Sequence, residues 1–282
     1  MGATIDLPSI NIPSLLRKHQ LSPHKGLGQN FLIEDVYLQQ IIQSAEIYPE
    51  DNVLEVGAGT GSLTRCLVQV AKRVVAVELD MQLIPLLKEV IGEDSKVQIV
   101  AGDILQLDPA KLMGAESYVV VANIPYYITS ALFRHLLESQ MKPRRMIITV
   151  QQEVAERICA SPGAMSLLAL SVQVYGNPQK VLNIPASAFY PRPKVDSATL
   201  RVDLYPQPLI ASNQLDTFFK LSKAGFSQKR KMLHNALAAG LGWTKEKVDA
   251  LLEQAHIDPQ RRAQTLTMDE WRRLTEIFSS LN

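Results

Sequence analysis

The run Glu55-Val56-Gly57-Ala58-Gly59-Thr60-Gly61 couples a short apolar stretch to a glycine-rich turn. Gly57 and Gly59 lack the Cβ that would hold a ligand off the main chain, and such strand-to-helix turns serve dinucleotide and nucleoside binders alike. Thr60 or Ser62 is available to cap the helix that follows. Two carboxylates come next. Glu78 lies about twenty residues on, where an acidic side chain accepts hydrogen bonds from both ribose hydroxyls. Asp103, in Gly102-Asp103-Ile104, is suited to accept from an adenine amino group. Together they fit a nucleoside cofactor, and the spacing G-x-G-x-G rather than G-x-G-x-x-G leaves NAD or S-adenosylmethionine to be decided by the reaction residues. Those are Asn123-Ile124-Pro125-Tyr126-Tyr127. An amino group on an adenine ring is a poor nucleophile because its lone pair is delocalised into the base. Hydrogen bonds from it to the Asn123 side-chain oxygen and the Ile124 carbonyl favour a localised lone pair aimed at a methyl donor, while Pro125 fixes the backbone and Tyr126 stacks on the base. The chemistry is methyl transfer from S-adenosylmethionine, leaving S-adenosylhomocysteine. Loss of the sulfonium charge lets the proton depart afterwards, so no strong general base and no metal is required.

These residues must stand along one edge of a sheet. Apolar, β-branched runs at 53–56, 74–77, 97–100, 118–122 and 146–150 read as buried parallel strands. Apolar residues recur at helical spacing over 63–70, 83–91 and 131–137, which makes the pattern βαβ and the fold class α/β, a doubly wound Rossmann-like sheet. Ligands of such sheets lie outside the carboxyl ends of the strands, where Gly57, Glu78, Asp103 and Asn123 all fall. Helical runs at 153–160 and 167–174 and strand-like runs at 181–184 and 198–204 follow. Beyond Pro206-Gln207-Pro208 the helical period holds throughout, over 215–224, 232–239, 245–255 and 268–278. The expected organisation is an amino-terminal arm over 1–22, loose in structure, a catalytic domain over 23–206 and a small all-helical domain over 207–282.

A chain of 282 residues with 46 % hydrophobic and 20 % charged residues has enough apolar surface for a sizeable core. Its longest apolar stretches fall short of the roughly 20 residues that cross a bilayer, and its start lacks the marks of a secretory or transit segment, so no membrane association is expected and the cytoplasm is the expected compartment. Cys66 and Cys159 lack metal-ligand spacing and read as reduced thiols. The net charge of +1 hides an uneven distribution: Lys220, Lys223, Lys229, Arg230 and Lys231 occur in a stretch free of Asp and Glu, and Arg17, Lys18, His19, His24 and Lys25 cluster near the start. Either cluster can attract phosphate or be a solvated face.

From residue 24 to residue 275 the chain closely resembles the ribosomal RNA adenine dimethyltransferase family. Gly28-Gln29-Asn30-Phe31-Leu32 is similar to that family's first cofactor motif, which implies that Asn30 and Leu32 reach S-adenosylmethionine. Gly57, Gly59, Glu78, Asp103 and Asn123 match its remaining cofactor positions. The most specific string is Phe189-Tyr190-Pro191-Arg192-Pro193-Lys194-Val195-Asp196-Ser197-Ala198; by the same likeness Phe189 forms the second face of a base sandwich, core packing being the alternative. Phe226-Ser227-Gln228-Lys229-Arg230-Lys231-Met232-Leu233-His234-Asn235 resembles the family's helical-domain motif, implying that Lys194, Lys223, Lys229, Arg230 and Lys231 hold RNA. The implied substrate is a pair of adjacent adenosines in the loop of the hairpin near the 3′ end of small-subunit rRNA, each receiving two methyl groups on an immature subunit; the enzyme itself is expected to be a monomer. The alternatives are a large-subunit rRNA adenine methyltransferase of the resistance type, against which Pro193 to Ser197 argue, and an assembly factor with incidental catalysis. The chain departs from many relatives in having Ala58 in place of a proline, and it lacks the basic and Tyr-Gly residues before Leu170-Ser171.

Overall fold

The computed structural model describes residues 8–114 and 116–281, so residues 1–7 of the expected arm lie outside the described part. The chain opens with α1 (Ile12–Lys18), β1 (Phe31–Leu32) and α2 (Asp35–Ala45). It then alternates through β2 (Asn52–Val56), α3 (Thr64–Val70), β3 (Arg73–Glu78), α4 (Ile84–Ile91), β4 (Val97–Ala101), α5 (Pro109–Met113), β5 (Tyr118–Asn123), α6 (Thr129–Leu137) and β6 (Arg145–Gln151). There follow α7 (Gln152–Ile158), α8 (Leu167–Gln173), β7 (Gly176–Ile184), β8 (Phe189–Tyr190) and β9 (Ser197–Leu204), and last the helices α9 (Leu215–Phe226), α10 (Leu233–Leu241), α11 (Lys245–Gln254) and α12 (Met268–Ser280).

Seven strands form one sheet in the order β4-β3-β2-β5-β6-β9-β7. The five strands β2 to β6 pair in parallel, and β9 runs antiparallel to β6. The chain moves outward from β2 to β3 and β4, then returns to place β5 on the other side of β2. That reversal opens a crevice beyond the carboxyl ends of β2 and β5, the position where doubly wound sheets bind their ligands. Residues of β2, β3, β5 and β6 are almost all buried, as strands covered on both faces must be. The third expected strand, β4, is instead only partly covered, because it lies at the sheet edge.

The arm is not loose where it is described. Asn11 caps α1 by accepting from the Ser14 N–H, and Ile12 and Leu16, one turn apart, bury themselves with Phe31, Leu83 and Leu86. Its ends are tied as well: the Arg65 guanidinium holds the Pro8 carbonyl, and Lys18 Nζ and His19 Nε2 meet the Glu89 carboxylate at 2.5 and 2.9 Å. The amino-terminal basic cluster therefore spends two of its members on one carboxylate within the chain.

The residues divide into two compact units, one running through Ala155 and including Gln179–Leu204, the other made of Glu156–Pro178 and the chain from Tyr205 onward. The stretch Glu156–Pro178, expected with the catalytic part, thus clusters with the carboxyl-terminal helices. Within that second unit α9 packs on α8, α10 and α12, and a capping box of Thr267 and Glu270 starts α12. Among the described residues no helix is long and apolar enough to cross a membrane.

Candidate active site

A cavity of the first unit gathers residues from six places in the sequence. The turn after β2 contributes Gly57, Ala58, Gly59 and Thr60; β3 ends on Glu78; Gly102 and Asp103 follow β4; Asn123 to Ile128 follow β5; and Asn30, Phe31 and Leu32 line it together with Phe189. Gly57 and Gly59 have φ of 78° and 57°, values that suit glycine, and a Cβ on Gly57 would come within 3.2 Å of the Asn123 carbonyl oxygen. The amide nitrogens of Gly57 and Ala58 both donate to the Val77 carbonyl, at 2.9 and 3.1 Å, which locks the turn against β3. Thr60 and Ser62, expected as caps, do not cap α3; their hydroxyls lie 3.1 Å apart and bond each other, and α3 starts without a side-chain cap.

Glu78 is 7 % exposed. Burial raises the pKa of its carboxyl, while the Asp80 and Gly59 N–H groups, donating at 2.8 and 2.6 Å, oppose the rise by favouring the charged form. A carboxylate has about four lone-pair sites, so these backbone donors leave it acceptor capacity for a ligand hydroxyl. Asp103 Oδ1 accepts from the Leu105 N–H at 2.9 Å, which leaves Oδ2 as an acceptor for a ligand. Asn30 spends its Nδ2 on the Gly28 carbonyl at 3.0 Å, and Leu32 is both cavity wall and core residue.

Phe189 lines the same cavity and is buried in the core cluster with Leu32 and Leu38, so wall and core packing coincide in one ring. It is held there by a two-residue ladder in which Leu32 pairs with Phe189 and Phe31 with Tyr190. Tyr126 is half-buried, its hydroxyl 2.7 Å from that of Ser197, and burial raises the pKa of its phenol. Tyr127 also lines the cavity but is largely exposed. Every residue expected to touch the cofactor or the base lines this cavity. The five cations expected on RNA do not: Lys194 is exposed in the loop before β9, Lys223 is exposed on α9, and Lys229, Arg230 and Lys231 are exposed in the turn from α9 to α10.

Three features went unread in the sequence. Leu38, Ile41, Ile42 and Ala45 on α2 follow helical spacing and were open to detection. Gln29, whose Nε2 donates to Asp80 at 2.8 Å, links the turn before β1 to the end of β3, a contact no local pattern reveals. The third is Glu55, wholly buried on β2, with neither carboxyl oxygen in a hydrogen bond of standard geometry. Burial pushes its pKa from 4.5 up to about 8; the Thr64 hydroxyl pulls the other way, and the Glu78 charge adds to the rise. Glu55 is therefore protonated in the folded chain at neutral pH and ionised in the unfolded one, so folding takes up a proton. Stability is expected to be greatest below pH 4.5 as far as this group is concerned, and to fall as the pH rises through the window up to about 8. In Glu55→Gln, urea unfolding measured across that window should lose this downward slope; an unchanged slope would show the carboxylate to be ionised when folded.

A sheet with a switch-point crevice, a glycine cradle and two acceptor carboxylates defines a Rossmann-like nucleoside-cofactor fold, and Asn123-Ile124-Pro125-Tyr126 on the same cavity wall place it among the methyltransferases. The chain belongs to the ribosomal RNA adenine dimethylase family, whose model matches residues 20–280, and it is accordingly an rRNA methyltransferase that uses S-adenosylmethionine. It is 46 % identical to the ribosomal RNA small subunit methyltransferase A of Dehalococcoides mccartyi strain 195, over 94 % of this chain and 91 % of that one. The protein of the same name from Alkaliphilus metalliredigens is 39 % identical over 93 % and 94 % of the two chains. Among solved structures, a dimethyladenosine transferase from Plasmodium falciparum is similar with a TM-score of 0.75 and 26 % identity, covering 88 % of this chain and 96 % of that one. The 23S rRNA methyltransferase ErmE is similar with a TM-score of 0.72 and 27 % identity, covering 89 % and 100 %. The backbone alone thus fits a dimethyladenosine transferase and a 23S rRNA methyltransferase about equally, whereas the sequence relatives carry the small-subunit name.

Proposed function

We propose that this chain transfers two methyl groups to the exocyclic N6 of each of two adjacent adenosines in the 3′-terminal hairpin loop of 16S rRNA, acting as a cytoplasmic monomer on immature small subunits. The observation that carries this reading is the single cavity that unites Glu78 and Asp103 with Asn123, Tyr126 and Phe189. Glycines 57 and 59, Asn30, Leu32, Glu78 and Asp103 hold S-adenosylmethionine, which supplies an electrophilic methyl on a sulfonium. The Gly57 backbone lies close to Asn123, leaving no room there for a side chain between cofactor loop and reaction loop. Asn123 Oδ1 and the Ile124 carbonyl accept from the two N6 hydrogens, which aims the nitrogen lone pair. Tyr126 and Phe189 hold the extruded base between their rings; loop adenosines are already partly unstacked, so extruding them costs little.

The test is direct. With labelled S-adenosylmethionine and unmethylated small subunits, digestion of the RNA should yield N6,N6-dimethyladenosine mapped to adjacent sites in the 3′-terminal hairpin. Label confined to naked large-subunit RNA would overturn the assignment.

Lys194, Lys223, Lys229, Arg230 and Lys231 are the proposed phosphate contacts. Each phosphate contact contributes roughly 0.7 to 0.9 to the slope of log affinity against log salt, so reversing the charge of Lys229, Arg230 and Lys231 together should weaken RNA binding and flatten that slope by about two. An unaltered slope in filter binding across a salt series would remove these three residues from the interface.

A further inference from the structure

The string from Phe189 to Ala198 supplies one aromatic wall of the cavity, yet its polar members near the end do not line the cavity at all. We propose that Asp196 and Ser197 are positioning residues that jointly set the gap between Tyr126 and Phe189 and so fit it to one extruded adenine. The inference rests on the aromatic clamp described above.

Each half of the pair holds one wall. Ser197, wholly buried at the first position of β9, has its hydroxyl 2.7 Å from that of Tyr126, seventy-one residues away in sequence. Asp196 Oδ1 accepts the Ala186 N–H at 2.8 Å, pinning the 3-10 turn Ala186–Ala188 that leads directly into Phe189. The dipeptide is itself fixed to the sheet: Ser197 is paired with Gln151 across β6 and β9, and the Asp196 carbonyl accepts from the Gln152 N–H at 3.1 Å. Antiparallel β9 is what makes this work. Running against β6, it brings its first residue to the carboxyl end of the parallel strands, beside the reaction loop after β5. Phe189 has a second tether, since the Ala188 carbonyl accepts from the Ile33 N–H at 2.9 Å. Tyr126 sits on a short 3-10 turn, Tyr126–Ile128, and among the described residues its hydroxyl is tied to Ser197 alone. An aromatic ring held at its hydroxyl end cannot swing into a cavity left open on one side, so the tether keeps the slot open before the base arrives.

Single-turnover methyl transfer by the full chain, at saturating S-adenosylmethionine on unmethylated small subunits, tests the pair. Ser197→Ala and Tyr126→Phe should each slow transfer about 10- to 100-fold, the scale expected of a reactant misplaced by around an ångström, with cofactor affinity unchanged. The double variant should be no slower than either single one, because both remove the same tether. Asp196→Ala should slow transfer too, and Asp196→Asn, which keeps an acceptor for the Ala186 N–H, should recover most of it. Additive losses in the double variant, or equal losses in Asp196→Asn and Asp196→Ala, would overturn the proposal. A readout that does not depend on methyl transfer separates its failure from that of the functional reading. In chain carrying 3-fluorotyrosine at its eight tyrosines, the fluorine resonance that Tyr126→Phe deletes should shift or broaden in Ser197→Ala. If it does so while the wild type transfers no methyl to small-subunit RNA, the tether stands and the substrate assignment falls; if it does not move, the tether falls.

Discussion

Asn123→Ala should reduce methyl transfer to small-subunit RNA by about 10²–10³-fold in kcat while binding of the particle stays nearly intact. The magnitude follows from what the carboxamide is proposed to do. A preorganised hydrogen-bonding group aimed at an atom whose charge changes during the reaction is typically worth two to three orders of magnitude, and a near-attack geometry lost with it adds to the effect. Asn123 is the last residue of β5, flanked in register by Thr149 on β6, so its main chain is fixed by the sheet and the substitution removes the side chain alone. Particle binding would be carried by phosphate contacts at exposed lysines and arginines distant in sequence, which the substitution does not touch. The decisive comparison is single-turnover transfer beside equilibrium binding of small subunits. Wild-type transfer in the variant would end the proposed mechanism; lost binding would instead make Asn123 an affinity determinant.

The cofactor half of the cavity was legible in sequence because its physics is local. Strands covered on both faces are near-continuous β-branched runs, and the residue that ends each run stands on the same rim as its neighbours once the sheet is parallel. Glu78, Asp103 and Asn123 therefore came together by strand order alone. Contacts that close over long stretches of sequence were not legible. The ladder joining Phe31 and Leu32 to Phe189 and Tyr190 has two residues on each side, too few for any pattern. Helix α1 has seven residues, below the length that helix propensity sustains in isolation, and exists through the apolar contacts of Ile12 and Leu16. Lys18 and His19 read as members of a basic cluster because their partner, Glu89, lies seventy residues away. The same limit explains β4: its Val97 to Val100 run has strand chemistry, and only the sheet order makes it an edge.

Gly240→Ala should destabilise the second unit by about 2 kcal/mol or more, opposite in sign to what helix propensity alone dictates. In an exposed last turn of a helix, replacing glycine by alanine ordinarily stabilises by up to about 1 kcal/mol. Gly240 lies in the last turn of α10, where α10 crosses α9, and a Cβ there would fall 2.6 Å from both Cα and Cβ of Ala224. Because one of those atoms is backbone, no rotamer change relieves the clash, and the helices must part; overpacking of this kind costs roughly 1–3 kcal/mol and more where backbone moves. The crossing also carries Lys223 on α9 and the Lys229-Arg230-Lys231 turn between the two helices, so its spacing bears on the proposed RNA contacts as well as on stability. Trp243 and Trp271, the two tryptophans of the chain, both belong to this unit, which makes urea unfolding followed by tryptophan fluorescence a selective readout. Gly242→Ala is the comparison: Gly242 has φ of 67° and nothing within 4 Å of its would-be Cβ, so it should lose only the roughly 1–2 kcal/mol of left-handed backbone strain. A Gly240→Ala midpoint at or above that of the wild type would mean that propensity outweighs the crossing, and that α9 and α10 pack with more room than 2.6 Å allows.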